Sequence, residues 1–245
     1  MEDVSYTYPE SDKVILDHAQ MLVPVGKSVG VMGPSGAGKS TAIDILMGLL
    51  QVQGGEILCD GRNIFENYPS WLSHIGYIPQ TIYLPDDSIR ENIAFGVAKE
   101  DIDDERVWHV LEEAQLKDFV KELPGMLDME IGERGVRLSG GQAQRLALAR
   151  TLAHPRPVMV LDDPFSALDR KTEDTVFSNL QAYAKNKVVF LISHRLYHFP
   201  KMQKIIFMED GKTTVGTHDE LMNTSPAYRR LYESQTGGEG HEKEN

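Results

Sequence analysis

Short apolar runs rich in valine and isoleucine alternate along the chain with longer stretches whose apolar residues recur at helical spacing. Residues 29–33, 56–58, 75–79, 158–162, 188–193 and 204–208 read as strands. The runs at 158–162 and 188–193 are almost unbroken, as expected of parallel strands covered on both faces. Residues 40–50, 105–114, 116–123, 140–153, 217–222 and 227–235 read as helices. Between Asp87 and His154 the strand signals stop and helical ones continue. The pattern predicts an α/β fold in which a helical segment interrupts a parallel-sheet core.

Composition narrows the class. The chain has 245 residues, 41% of them hydrophobic and 25% charged, enough to build a core without staples. The single cysteine, Cys59, cannot form an internal bridge, which fits a reducing compartment. Thirty-seven acidic against 25 basic side chains give a net charge of −12, which speaks against a nucleic-acid binder relying on overall positive charge. No apolar run approaches the roughly 18 residues that suggest a membrane-spanning helix. The start, Met1-Glu2-Asp3, is acidic and carries no apolar leader. A cytosolic chain, or the cytosolic part of a longer one, is expected.

Chemistry first shows at Gly33-Pro34-Ser35-Gly36-Ala37-Gly38-Lys39-Ser40, which fits G-x-x-x-x-G-K-[ST] at every fixed position, between a strand and a helix. Glycines let backbone N–H groups converge on phosphate oxygens, and the helix N-terminus adds positive potential. Lys39 is placed to reach the β- and γ-phosphates and Ser40 to bind Mg²⁺. The second metal partner is expected where residues 158–162 end, at Asp162. These residues say NTPase and leave the kind open, although a guanine-reading Asn-Lys-x-Asp is missing. A second glycine motif, Leu138-Ser139-Gly140-Gly141-Gln142, opens a helix with Ser139 as its natural N-cap, and reads as a second anion site.

The order of P-loop, Gln80, Ser139-Gly140-Gly141-Gln142, Asp162, Ser166-Ala167-Leu168-Asp169 and His194 resembles the nucleotide-binding domain of ATP-binding-cassette (ABC) transporters, over residues 3 to about 235. Residues 87–96, 132–135 and 216–221 are similar to the exporter branch. The resemblance implies a P-loop NTPase core with a mostly parallel sheet, an N-terminal antiparallel β subdomain and an inserted helical subdomain. Residues 1–86 and 155–236 would form the ATP-binding core, 87–154 the helical signature subdomain and 237–245 a flexible tail. It implies ATP and Mg²⁺ as cofactors, with Thr41 joining the P-loop residues in holding nucleotide. Tyr8 would stack on adenine, Gln80 sense Mg²⁺ and the transport domain, and His194 hold the γ-phosphate. Two such domains stack head to tail in that family, so Ser139, Gly140, Gly141 and Gln142 would meet nucleotide bound to a second domain, identical or different. Asp169 would lie across the dimer interface. The other implied partner is a transmembrane domain, fused or separate, at the cytoplasmic face of a membrane, met by residues 81–87. Ile82, Tyr83 and Leu84 are therefore expected to form an exposed apolar patch.

One residue departs from the family pattern. The family places glutamate directly after the metal-binding aspartate, to polarise the attacking water; here that position holds Asp163. Aspartate keeps the carboxylate and loses one methylene of reach. Two readings follow: an ATPase that drives export, or an impaired, regulatory half of a heterodimeric exporter lending its signature to a competent partner. A soluble ABC ATPase of DNA repair or translation is disfavoured by the acidic charge and the exporter-like segments.

Overall fold

The computed structural model describes residues 1–132 and 135–237. In chain order the elements are β1 (Glu2–Thr7), β2 (Val14–Ala19), β3 (Lys27–Met32), α1 (Lys39–Met47), β4 (Gly54–Glu56), β5 (Leu58–Cys59), β6 (Arg62–Asn63), α2 (Tyr68–Ser73) and β7 (Ile75–Ile78). Next come α3 (Ile89–Ile93), α4 (Asp104–Glu113), α5 (Lys117–Glu122), α6 (Gly140–Ala153), β8 (Val158–Asp162) and α7 (Arg170–Tyr183). The chain closes with β9 (Val188–Ile192), β10 (Lys204–Glu209), β11 (Lys212–Gly216), α8 (His218–Thr224) and α9 (Pro226–Thr236). The main sheet is mixed and has the strand order β11-β10-β3-β9-β8-β7, and a separate sheet has the order β2-β1-β4.

The chain divides into two compact units. The first comprises Met1–Ile75, Pro157–Val160 and the residues from Ala184 onward. Within it β3 runs parallel to β9 and to β10, with Val29 opposite both Phe190 and Lys204. β1 pairs antiparallel with β2 and with β4, placing Tyr6 opposite Leu16 and Ser5 opposite Gly54. Val29, Val31, Phe190 and Ile192 of the sheet are buried in one cluster with Ala42, Ile43, Ile45 and Met47 of α1 and Val4 and Leu16 of the N-terminal sheet. Burying aliphatic side chains on this scale contributes about 1.5–3 kcal/mol each. The helix α1 begins directly beyond the glycine loop because β3, held between two strands, delivers the chain there.

The second unit comprises Gly76–Arg156 and Leu161–Tyr183 and is helical. α3 and α4 pack against α6. Their apolar faces supply a core that includes Ile89, Ile93, Val107, Val110, Leu111, Leu146, Ala149 and Leu152, all nearly inaccessible to solvent. Ser88 and Glu91 close a capping box on α3, Asp103 caps α4, and Ser139 and Gln142 close a capping box on α6.

Three expectations need correction. The strand predicted at 56–58 is two short ones, β4 and β5, because Ile57 turns inward between them and is buried. No helix was expected at 170–183, yet α7 forms there. Asp169 accepts hydrogen bonds from the Thr172 backbone N–H (3.0 Å) and hydroxyl (2.7 Å), and Val176, Phe177 and Leu180 are buried at helical spacing. The expected apolar patch is smaller than foreseen: Tyr83 is 68% exposed, Ile82 is half-buried, and Leu84 is only 1% exposed. Leu84 packs towards Gly135, where an added Cβ would stand 3.1 Å from its Cδ1. Neighbours in an extended segment point in opposite directions, so Tyr83 and Leu84 cannot share a face. Residues 238–245 of the expected tail, and Glu133 and Arg134 of the exporter-like segment at 132–135, lie outside the described residues. Among the described residues no helix is long and apolar enough to cross a membrane.

Candidate functional site

The phosphate loop belongs to the first unit. Gly38 stands in the left-handed region, φ 90°, as the N-cap of α1, and a Cβ there would lie 2.5 Å from Ile15 Cγ2. Only glycine meets both demands at little cost. Lys39 is 8% exposed, and its ammonium donates to the carbonyls of Gly33 (2.8 Å) and Pro34 (3.0 Å). The side chain thus folds back over the loop, holding a charge beside the α1 N-terminus. Pro34, Ser35, Gly36 and Ser40 are exposed, while Ala37 is partly covered and Thr41 is buried. A second cation, Lys13, donates to the Gly36 carbonyl (2.8 Å) and lines a cleft of about 260 Å³ with Ile15 and Pro34, Ser35, Gly36 and Ala37. Sequence reasoning did not single out Lys13, since a lysine between two strands carries no signal of its own.

Tyr8 lies in the same unit, 40% exposed. Its hydroxyl shares a 3.0 Å hydrogen bond with the Thr41 hydroxyl, and its ring meets Tyr6 edge-on at 5.2 Å. A T-shaped contact covers at most one face of a ring, so one face of Tyr8 is left by Tyr6 for stacking. His194 is an exposed residue just past the end of β9.

The remaining predicted residues belong to the second unit. Gln80 is exposed in the bend after β7. Asp162 ends β8 and is 8% exposed; Asp163, next to it, is 9% exposed and adopts φ 50°. Aspartate enters the left-handed region more readily than most side chains, so this backbone suits the residue present. Ser139 and Gly140 are exposed at the start of α6, and Gly141 and Gln142 half-exposed. The Ser139 hydroxyl accepts from the Gln142 N–H (3.3 Å), and the Ser139 N–H donates to Gln142 Oε1 (2.8 Å). Gly141 is required for a different reason from Gly38: a Cβ would stand 2.7 Å from the Ala167 carbonyl oxygen.

That close approach is fastened by Gln144, which sequence reasoning missed. Its amide donates to the Ser166 hydroxyl (2.5 Å), and its oxygen accepts from the Ala167 N–H (2.9 Å). Gln144 is 8% exposed, on the α6 face that also buries Leu148 and Thr151. A polar residue in phase with buried ones, at i, i+4 and i+7, was the available signal. The Asp169 carboxyl is held below the usual carboxylate range, first by the Thr172 backbone N–H and then by its hydroxyl. Burial lowers the Arg145 guanidinium from its ordinary value, partly offset by Asp169.

A model of the ABC transporter family matches residues 16–166. This chain belongs to the ABC transporter family. The ATP-dependent lipid A-core flippase of Idiomarina loihiensis is 36% identical over 239 residues, covering 97% of this chain and 41% of the relative. The flippase of Escherichia coli K12 is 35% identical over 237 residues, 96% of this chain and 40% of the relative. The structure of a bacterial Atm1-family ABC exporter with ATP bound superposes with a TM-score of 0.89 at 34% identity, covering 96% of this chain and 41% of that one. The chain thus spans about two-fifths of the length of these relatives. It has the P-loop fold of an ABC nucleotide-binding domain.

Proposed function

We propose that this domain binds Mg²⁺-ATP on its P-loop, closes head to tail on a second nucleotide-binding domain, and hydrolyses the nucleotide to drive export through a transmembrane partner at the cytoplasmic face of a membrane. The observation that carries this reading is the presence, in addition to an open P-loop, of a second helix N-terminus, capped by Ser139, where Gly140 is exposed and Gly141 half-exposed.

The residues fit ATP and Mg²⁺. Lys39 can exchange two loop carbonyls for phosphate oxygens, gaining charge-assisted partners for neutral ones. Among the described residues no three His, Cys, Asp or Glu side chains gather as a metal cage. Magnesium needs none, since it typically takes one or two protein oxygens beside phosphates and waters, and Ser40 and Asp162 would supply them. Bound ATP brings the phosphoanhydride, and its metal ion neutralises charge on the phosphates. The chain's own residues would then orient and exclude: Tyr8 would offer its ring to the base, and the family resemblance assigns Gln80 and His194 to the γ-phosphate. Asp163 accepts the proton of the attacking water, while Ser139, Gly140, Gly141 and Gln142 donate to the phosphate on the other domain.

A second reading rests on Asp163. The shorter carboxylate, set in a buried and left-handed backbone, favours slow hydrolysis and a regulatory half-site whose signature serves a competent partner. Gel filtration with Mg²⁺-ATP tests the shared core of both readings. The parent should shift towards dimer and Ser139→Ala should not, at equal ATP affinity; an equal dimer fraction for the two refutes the role of the signature across the dimer.

A further inference from the structure

Arg150, ten residues into α6, is half-buried and reaches away from the signature end of its helix. Its guanidinium donates to the Asn92 carbonyl (2.7 Å), the Asn92 side-chain oxygen (2.7 Å) and the Tyr83 carbonyl (3.0 Å), and lies 5.2 Å over the Phe95 ring. Asn92 is fully buried, and its amide donates to the carbonyls of Pro85 (3.2 Å), Asp87 (3.2 Å) and Ser88 (3.0 Å). Every polar atom of the Asn92 side chain is therefore spent on tying the segment after Gln80 to Arg150. Tyr83, whose carbonyl Arg150 holds, keeps its ring exposed, as does Phe95.

We propose that Arg150 and Asn92 are positioning residues that bind residues 83–88 to α6, so that a displacement at the exposed Tyr83 surface and a displacement of Ser139 are one movement. The inference rests on the dimer reading above for what Ser139 does, and on the hydrogen bonds alone for the link. From Gly140 to Arg150 the helix spans about 15 Å, over which a packed helix transmits displacement with little bending. The planar fork of arginine fixes both the direction and the distance of three acceptors; lysine, a point charge on a flexible stem, fixes neither. Burial also lowers the Arg150 guanidinium from its ordinary value, which marks how far it is drawn from water to make these contacts. A contiguous network is a hypothesis of coupling until a perturbation at one end is read at the other.

Hydrogen exchange on the whole chain, with and without Mg²⁺-ATP, supplies that reading. In the parent, nucleotide should slow exchange at 139–142 and at 81–88 together. Arg150→Lys removes the fork; Asn92→Asp keeps an acceptor for Arg150 but turns a carboxylate on the three carbonyls. In both variants the slowing at 139–142 should persist and that at 81–88 should be lost, with ATP affinity unchanged because the P-loop is untouched. A structural role alone would move both segments or neither. Slowing kept at both segments in the variants, or lost at both, overturns the proposal. Slowing in the parent at 139–142 without 81–88 also overturns it and leaves the dimer reading standing. No slowing at 139–142 in the parent refutes the dimer reading itself.

Discussion

Replacing Gln144 by methionine keeps the volume of the side chain and deletes its amide. Three hydrogen bonds disappear, to the Ser166 hydroxyl, to the Asp163 carbonyl (3.4 Å) and from the Ala167 N–H, in a position 8% exposed. A typical hydrogen bond contributes about 0.5–1.5 kcal/mol net, and a buried donor left without its partner costs about 1–3 kcal/mol. The Ala167 N–H faces that penalty, since a thioether is a weak acceptor. Two lost bonds and one stranded donor sum to about 2–6 kcal/mol, which for a chain of this length lowers Tm by about 4–24 °C. Thermal melting by circular dichroism measures it, with the urea midpoint as a second readout. Because Gly141 sits against the Ala167 carbonyl, the same change should loosen the start of α6 and weaken nucleotide-dependent dimerisation beyond the loss of stability. A Tm within about 1 °C of the parent would refute the claim that Gln144 fastens α6 to residues 166–167.

Two further outcomes are expected. Asp163→Glu should raise kcat by about tenfold or more, less than the full general-base effect of about 10²–10⁴ because a carboxylate is already present, with a slightly lower Tm because glutamate tolerates φ 50° less well than aspartate. No gain, together with a large fall for Asp163→Asn in phosphate-release assays, would establish Asp163 as a competent base. Stability should fall on acidification: Lys99 and Ser88 hold Glu91 at about 2, and Arg90 holds Asp104 below its ordinary value. Folded values below the unfolded ones give stabilisation that is complete above about pH 5 and lost as pH drops towards 2. The urea midpoint should therefore decline from pH 5 to pH 3, less steeply in Glu91→Gln, and a flat profile would contradict this.

What could be read in advance follows from how locally each feature is encoded. α6 occurs at its expected bounds because Ser139 and Gln142 announce its start in the sequence itself. β8 and β9 were legible as unbroken apolar runs, whose burial needs no partner to be named. α7 was not, since its cap, Asp169, serves equally as a family motif, and its face includes the fully buried Glu173, which breaks the apolar pattern. The P-loop could be located but not its resting geometry, in which Lys39 turns onto its own carbonyls. Gln144, Asn92 and Arg150 look like surface residues when read along a line. The phase of Gln144 with buried neighbours hints at its burial, but the partners that give it and Arg150 their roles, the Ala167 N–H, the Asn92 side chain and the Tyr83 carbonyl, are distant in sequence and no local rule names them.

The central claim is that each ATP is held by the P-loop of one domain and the signature of another. Mixing two inactive variants tests it most directly. Lys39→Ala cannot hold its own nucleotide but keeps Ser139; Ser139→Ala keeps its P-loop but has no signature to offer. Each alone should release phosphate near background. Mixed one to one, random pairing gives half mixed dimers with one intact site each, so about a quarter of the parent rate should return. No recovery on mixing, or a Ser139→Ala chain as active alone as the parent, would contradict the account.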